Sequence, residues 1–157
     1  MWDSTVGKKA VMAVTGLILI GYLVVHAAGN AKIFFGPEEF NGYGHWLRVM
    51  GEPVLHEKWG LWIARVVLLA SVILHAVAAY QLSKRDLKAR PTKYAHKRPR
   101  ASYATRTMRW GGVIVGLFVV WHILDLTTGT VHPGFEEGKP YQNVVDTFST
   151  WYGNVIY

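Results

Sequence analysis

Residues 10–31 read AVMAVTGLILIGYLVVHAAGNA, an unbroken run without a charged side chain. An α-helix rises ~1.5 Å per residue, so roughly 20 apolar residues cross a hydrocarbon layer ~30 Å thick. This run is long enough to do so. Lys8 and Lys9 precede it and HAAGNA closes it, as in a secretory signal, but a signal core is normally only about 7 to 15 residues. The run is therefore read as a retained span.

Two further stretches behave alike. Residues 59–83 carry only Arg65, and residues 110–135 only Asp125 ahead of the polar tail. The uncharged part of the third stretch is short, which requires Asp125 to lie near the bilayer surface or to have a partner. With 51% hydrophobic and 13% aromatic residues and a positive mean hydropathy, the composition is not that of an ordinary soluble domain. The expectation is an all-α transmembrane helical bundle. It forms one membrane-anchor domain over residues 1–157, with spans at about 10–31, 59–83 and 110–130 by their apolar length.

Charge orients the spans. Residues 84–109, KRDLKARPTKYAHKRPRASYATRTMR, hold ten Lys or Arg and one Asp, whereas residues 32–58 hold three basic and four acidic side chains. The positive-inside rule makes 84–109 a cytoplasmic loop and puts the N-terminus on the same side. The net charge of +7 is concentrated there, which reads as a topology signal facing anionic headgroups. No nucleic-acid partner is implied.

The connections carry weaker signals. Pro91 biases Arg90 towards extended backbone within ARPTKY. Residues 34–48, FFGPEEFNGYGHWLR, are rich in turn residues and aromatics and are expected to form a loop folded against the membrane surface. A short interfacial helix is expected from Pro140, and residues 151–157 resemble the aromatic entrance to another span.

The chain has no cysteine, so it offers no disulfide and no thiolate ligand. Histidine must carry any metal chemistry. His45, His56, His96 and His132 fall in polar segments and read as solvated or locally hydrogen-bonded. His26, His75 and His122 fall one in each span, where an ionisable group is costly and has a partner or a function. A neutral imidazole bonded to a neighbouring helix is the plain alternative for each. Without thiolates or mid-membrane carboxylates a structural zinc site is poorly supplied. Haem, apolar and satisfied by imidazole, fits the three better.

Small residues flank all three, namely Gly21, Ala27, Ala28 and Gly29, then Ala70, Ser71, Ala76, Ala78 and Ala79, then Gly111, Gly112 and Gly116. They would admit a flat ring and equally serve helix packing. Depth separates the histidines. Counted from the cytoplasmic charges, His26 lies ~27 Å from Lys8, His122 ~20 Å from Arg109 and His75 ~14 Å from Lys84. The first two lean to the outer half and His75 to the inner half.

Taken in order, STVGKKAVMAVTG, HAAGNAKIFFGPEEFNGYGHWLR, LHAVAAYQL, ARPTKY and MRWGGVIVGLFVVWHILDLTTG resemble the cytochrome b558 membrane subunit of succinate dehydrogenase and fumarate reductase, over essentially the whole chain. The resemblance implies a membrane anchor in the cell (inner) membrane, with flavoprotein and iron–sulfur subunits on its cytoplasmic side. It implies haem b, one or two per chain, and electron transfer between the iron–sulfur subunit and menaquinone or ubiquinone. His26 and His122 match the ligands of the distal haem, and His75 a ligand of the proximal haem. Members of the family have five spans. Three are seen here, so the remaining helices, with the second ligand of the His75 haem, are expected from a C-terminal continuation or another chain. Histidine can also ligate a Rieske-type cluster, with two cysteines supplied by a partner.

Other polar residues are secondary candidates. Arg65 could pair with a haem propionate, snorkel to the surface or bridge to Asp125. Asp125, three residues after His122, and Asn30, four after His26, could accept a hydrogen bond from those imidazoles. Tyr22, Trp46, Trp59, Trp62 and Trp121 could line a quinone pocket or simply form aromatic belts. Glu52 and Glu57 are proton-exchange candidates that read equally as solvated carboxylates. No phosphate-binding loop or dicarboxylate site is visible, so succinate chemistry is not expected in this chain. Two alternatives remain, a haem-free anchor of such a complex and a proton-conducting bundle. The latter would more naturally show broken helices or paired repeats.

Overall fold

A computed structural model describes residues 4–89 and 103–157. Among them there is no strand. The order is α1 (Thr5–Asn30), a 3-10 turn (Ala31–Phe35), α2 (Pro37–Val49), α3 (Trp59–Lys88), α4 (Tyr103–Leu126), α5 (Pro140–Phe148) and α6 (Trp151–Ile156). The all-α class is as the apolar runs require. Three helical segments, Thr5–Phe35, Trp59–Lys88 and Thr107–Leu126, are long and apolar enough to cross a membrane. Only 6% and 11% of the most apolar windows of the first two are buried, and none of the third. Phe40 and Ala78 are the buried hydrophobic residues among those described. A water-soluble fold would hide such side chains in a core. Their outward display is the pattern of a membrane protein.

The described residues divide into two compact units, 4–34 with 45–89 and 35–44 with 103–157. The first is built on α1 and α3. Ser4 caps α1, its hydroxyl accepting from the Gly7 amide at 2.9 Å, which satisfies one of the open N–H groups of the first turn. Arg85 donates to the Thr5 hydroxyl at 3.2 Å, and ten residues inward on each helix Thr15 meets His75. Those two contacts fix α1 and α3 as antiparallel. Their seam runs through Thr15 and Gly16 on α1 against His75 on α3, and Gly7, Lys8 and Gly29 on α1 and Ser71 and Ala78 on α3 are also buried. In lipid the hydrophobic effect gives no drive between helices, so small residues that let backbones approach supply the contact.

The second unit holds α4, α5 and α6 with the first residues of α2. Phe40 packs edge-on to Tyr141, ring centroids 6.5 Å apart, and Asn41 accepts from the Tyr141 amide at 3.0 Å. Three expectations need correction here. Residues 37–49 form α2 instead of a turn-rich loop, because Gly36 takes φ +99° and Pro37, Glu38 and Glu39 then start a helix. Proline suits its first position and acidic groups its first turn. Residues 84–88 are helical, extending α3 into the basic segment, where Arg85 and Lys88 complement its C-terminal dipole. Finally α4 ends at Leu126, so residues 127–130 are a turn and not the end of a span. The helix expected from Pro140 is present as α5. The extended backbone expected at Arg90, and His96, lie outside the described residues.

Candidate functional site

His75 is the best defined of the three span histidines. It is half-buried on α3, and its Nδ1 lies 3.1 Å from the hydroxyl of Thr15 on α1. That hydroxyl is itself 2.7 Å from the Val11 carbonyl, a back-bond typical of threonine inside a helix. Gly16 faces the ring, and a Cβ there would stand 3.4 Å from His75 Cε1, at the tight limit of ordinary contact. Sequence reading placed small residues around the histidines but named neither Thr15 nor Gly16. Nothing in a single helix reveals a partner sixty positions away.

His26 lies eleven residues beyond Thr15 on α1, about 16 Å along the axis at the α-helical rise. His75, level with Thr15, and His26 therefore stand apart along the axis of the first unit. Two axial ligands of one iron must face each other across it, so these two do not share one. Asn30 is not the residue at His26 Nδ1. Tyr22 is, with its hydroxyl 3.2 Å away and the rings stacked at 5.1 Å. One turn of α-helix brings either neighbour into reach, and the aromatic side chain lies back over the preceding turn.

Arg65 is exposed and its guanidinium sits over the Trp62 ring at 5.0 Å, a cation–π contact. Asp125 has other partners. Trp59 and Trp62 share one face of α3 with Ile63, Val66 and Val67 and edge an open apolar groove. Glu52 and Glu57 are exposed, and Glu57 lies 3.9 Å from the Lys58 ammonium.

In the second unit His122 is half-buried on α4. Phe118 stacks on it at 5.8 Å and Tyr157 meets it edge-on at 5.8 Å. Trp121, the other aromatic neighbour, packs against Tyr152 at 6.4 Å. The hydrogen bond expected from His122 to Asp125 is not made: His122 Nδ1 makes no hydrogen bond among the described residues, and the Asp125 carboxylate is held by other residues. Asp125 Oδ1 accepts from His132 Nδ1 at 3.0 Å, while Oδ2 accepts from Thr147 at 3.0 Å and from Tyr157 at 3.1 Å. Asp125 and His132 are only 3% and 8% exposed.

His132 thus takes the locally hydrogen-bonded of the two readings given to the loop histidines, and its burial and its partner Asp125 are what sequence reading did not name. The turns at Gly129 and Gly134, both with positive φ, fold residues 127–135 back over the end of α4. That fold was foreshadowed only by the need of Asp125 for a partner. Burial, the nearby Asp125 charge and the hydrogen bond to it hold the Tyr157 phenol well above its ordinary range.

Among the described residues no three His, Asp or Glu side chains converge as a bare metal ion would require. The donor set suits a ligand that takes one imidazole from a helix. The hydroxyl at His75 Nδ1 and the bare backbone of Gly16 are compatible with haem. No family model, curated protein or solved structure matches the chain.

Proposed function

We propose that this chain is the haem b-bearing membrane anchor of a succinate:quinone oxidoreductase, a respiratory complex of the cell (inner) membrane. It would carry electrons between an iron–sulfur subunit and menaquinone or ubiquinone. The observation that carries the reading is the arrangement of imidazoles at membrane depth, one per long apolar helix. His75 is oriented by Thr15 about 16 Å along the helix pair from His26. In this reading His26 and His122 hold one haem and His75 a second, whose other ligand comes from outside residues 1–157. Haem with two imidazole ligands has no open position and supplies one-electron transfer.

The chain's own residues do the rest. The half-buried imidazole of His75 would offer a haem the nitrogen other than the one facing Thr15, and the small-residue seam keeps α1 and α3 close. The basic segment 84–109 keeps its end of the bundle cytoplasmic, where the flavoprotein and iron–sulfur subunits would dock. Quinone and membrane lipid would meet the apolar outer faces.

The test is a reduced-minus-oxidised spectrum of the membrane complex, with haem counted per chain, for wild type, His26→Ala and His122→Ala. One b-type haem lost in each variant supports the reading. A second reading, the haem-free anchor, draws on the same contacts, since hydrogen bonds with Tyr22 and Thr15 are also what packing histidines make. Absence of haem, with quinone reduction surviving both substitutions, would establish it.

A further inference from the structure

Threonine is an indifferent helix former, yet Thr15 is placed at the centre of the α1–α3 seam and is 5% exposed. Its hydroxyl carries one hydrogen and faces three acceptor-capable groups. The Val11 carbonyl is at 2.7 Å, the Met12 carbonyl at 3.3 Å and His75 Nδ1 at 3.1 Å. Carbonyl oxygens can only accept, and the shortest contact is to Val11, so the proton lies on that side. What Thr15 turns towards His75 is a lone pair, and Nδ1 of His75 must then be the N–H that donates to it. The tautomer follows. The lone pair of the ring is on Nε2, the nitrogen that a metal would take.

Gly16 completes the seat. The absent side chain lets the ring edge come against the α1 backbone, with Cε1 3.4 Å from where a Cβ would be. A hydroxyl that pins one ring nitrogen, beside a residue that lets the adjoining ring edge rest on the α1 backbone, fixes both the tautomer and the rotation of the imidazole.

We infer that Thr15 is a positioning residue for His75, holding it as the Nδ1–H tautomer with Nε2 directed for axial ligation of haem. The inference rests on the haem reading above. A hydrogen bond accepted from Nδ1–H makes the imidazole a stronger donor to iron and favours the oxidised state, and loss of such an outer contact typically weakens a metal site about 10- to 100-fold.

The experiment is a redox titration of the haems in membranes containing the full complex, with low-spin electron paramagnetic resonance spectra and the rate of haem loss to apomyoglobin. Thr15→Val, close in shape, is expected to raise the midpoint potential of one haem, shift its g-values and speed its loss about 10- to 100-fold. Thr15→Ser, which keeps the hydroxyl, is expected to restore all three. If Thr15→Val does not accumulate in the membrane, Thr15→Ala is compared with Thr15→Ser in the same way. A wild-type potential and spectrum in the hydroxyl-free variant overturns the role of Thr15. His75→Ala distinguishes the two levels, because retention of every haem in that variant overturns the haem reading at His75 itself.

Discussion

Asp125 and His132 form a buried pair, Oδ1 and Nδ1 3.0 Å apart, across the turn that follows α4. Asp125 also receives the hydroxyls of Thr147 and Tyr157, so one carboxylate ties the end of α4 to α5 and to the residue after α6. Removing it leaves several donors without an acceptor in a place water reaches poorly. Asp125→Ala is expected to lower the stability of the α4–α6 unit by about 3 to 5 kcal/mol, the range for breaking a buried pair by deleting one partner. Asp125→Asn, which keeps one carbonyl oxygen, is expected to fall between. Thermal unfolding in detergent, followed by aromatic circular dichroism, measures both, and equal melting of Asp125→Ala and wild type would refute the central place given to the carboxylate.

Tyr157 gives that unit an alkaline limit. Burial first, then the Asp125 charge and hydrogen bond, raise its phenol above the ordinary value of 10.0. The folded state therefore holds the proton more tightly than the unfolded chain does. The stabilising effect is complete below about pH 10 and is lost as pH rises from there through the folded value. Melting temperature is expected to fall above about pH 10 more steeply in wild type than in Tyr157→Phe. Lysines titrate in the same region in both proteins, so only the difference is diagnostic. Parallel curves would show that the phenol is not held by Asp125.

The spans were legible because lipid imposes a length and a composition on any helix that crosses it, and residues 10–31 and 59–83 satisfy both without reference to a partner. The distance between His26 and Thr15 along α1 was legible too, rise per residue being fixed. Contacts between helices were not. Thr15 reads as one more small polar residue in an apolar run until α3 is laid beside it. His132 reads as a loop histidine until two glycine turns bring it back onto Asp125. The helix at residues 37–49 was masked by Gly42 and Gly44, which suggest turns, although the proline and paired glutamates at its start were visible.

Gly16 provides a test of the α1–α3 contact independent of any cofactor. Its missing side chain is replaced by the His75 ring, so Gly16→Leu must push that ring or the helices apart, at about 1 to 3 kcal/mol for overpacking. Gly21, five residues on in the same helix, has nothing within 4 Å of its Cβ position, and Gly21→Leu is expected to leave stability unchanged or slightly raised. Unfolding of the two variants in the same detergent separates them. Equal effects would mean that α1 and α3 do not meet at residue 16.

Gly153 is the corresponding point in the second unit. It is buried in the short α6, capped by the Thr150 hydroxyl, which accepts from the Gly153 amide at 3.1 Å. A Cβ on Gly153 would fall onto the Thr147 carbonyl, well inside contact distance. That oxygen belongs to backbone and cannot swing aside, so Gly153→Ala must move α6 away from α5 and draw Tyr157 off Asp125. The expected loss is about 1 to 3 kcal/mol, as for other overpacked sites, with Tyr157 returning towards its ordinary titration. Val155→Ala, at a 76% exposed position on the same helix, controls for the change in helix composition and is expected to be near neutral. Spectrophotometric titration of tyrosine alongside thermal unfolding reads both consequences. A stable Gly153→Ala protein with an unshifted tyrosine titration would show that α6 does not rest on Thr147.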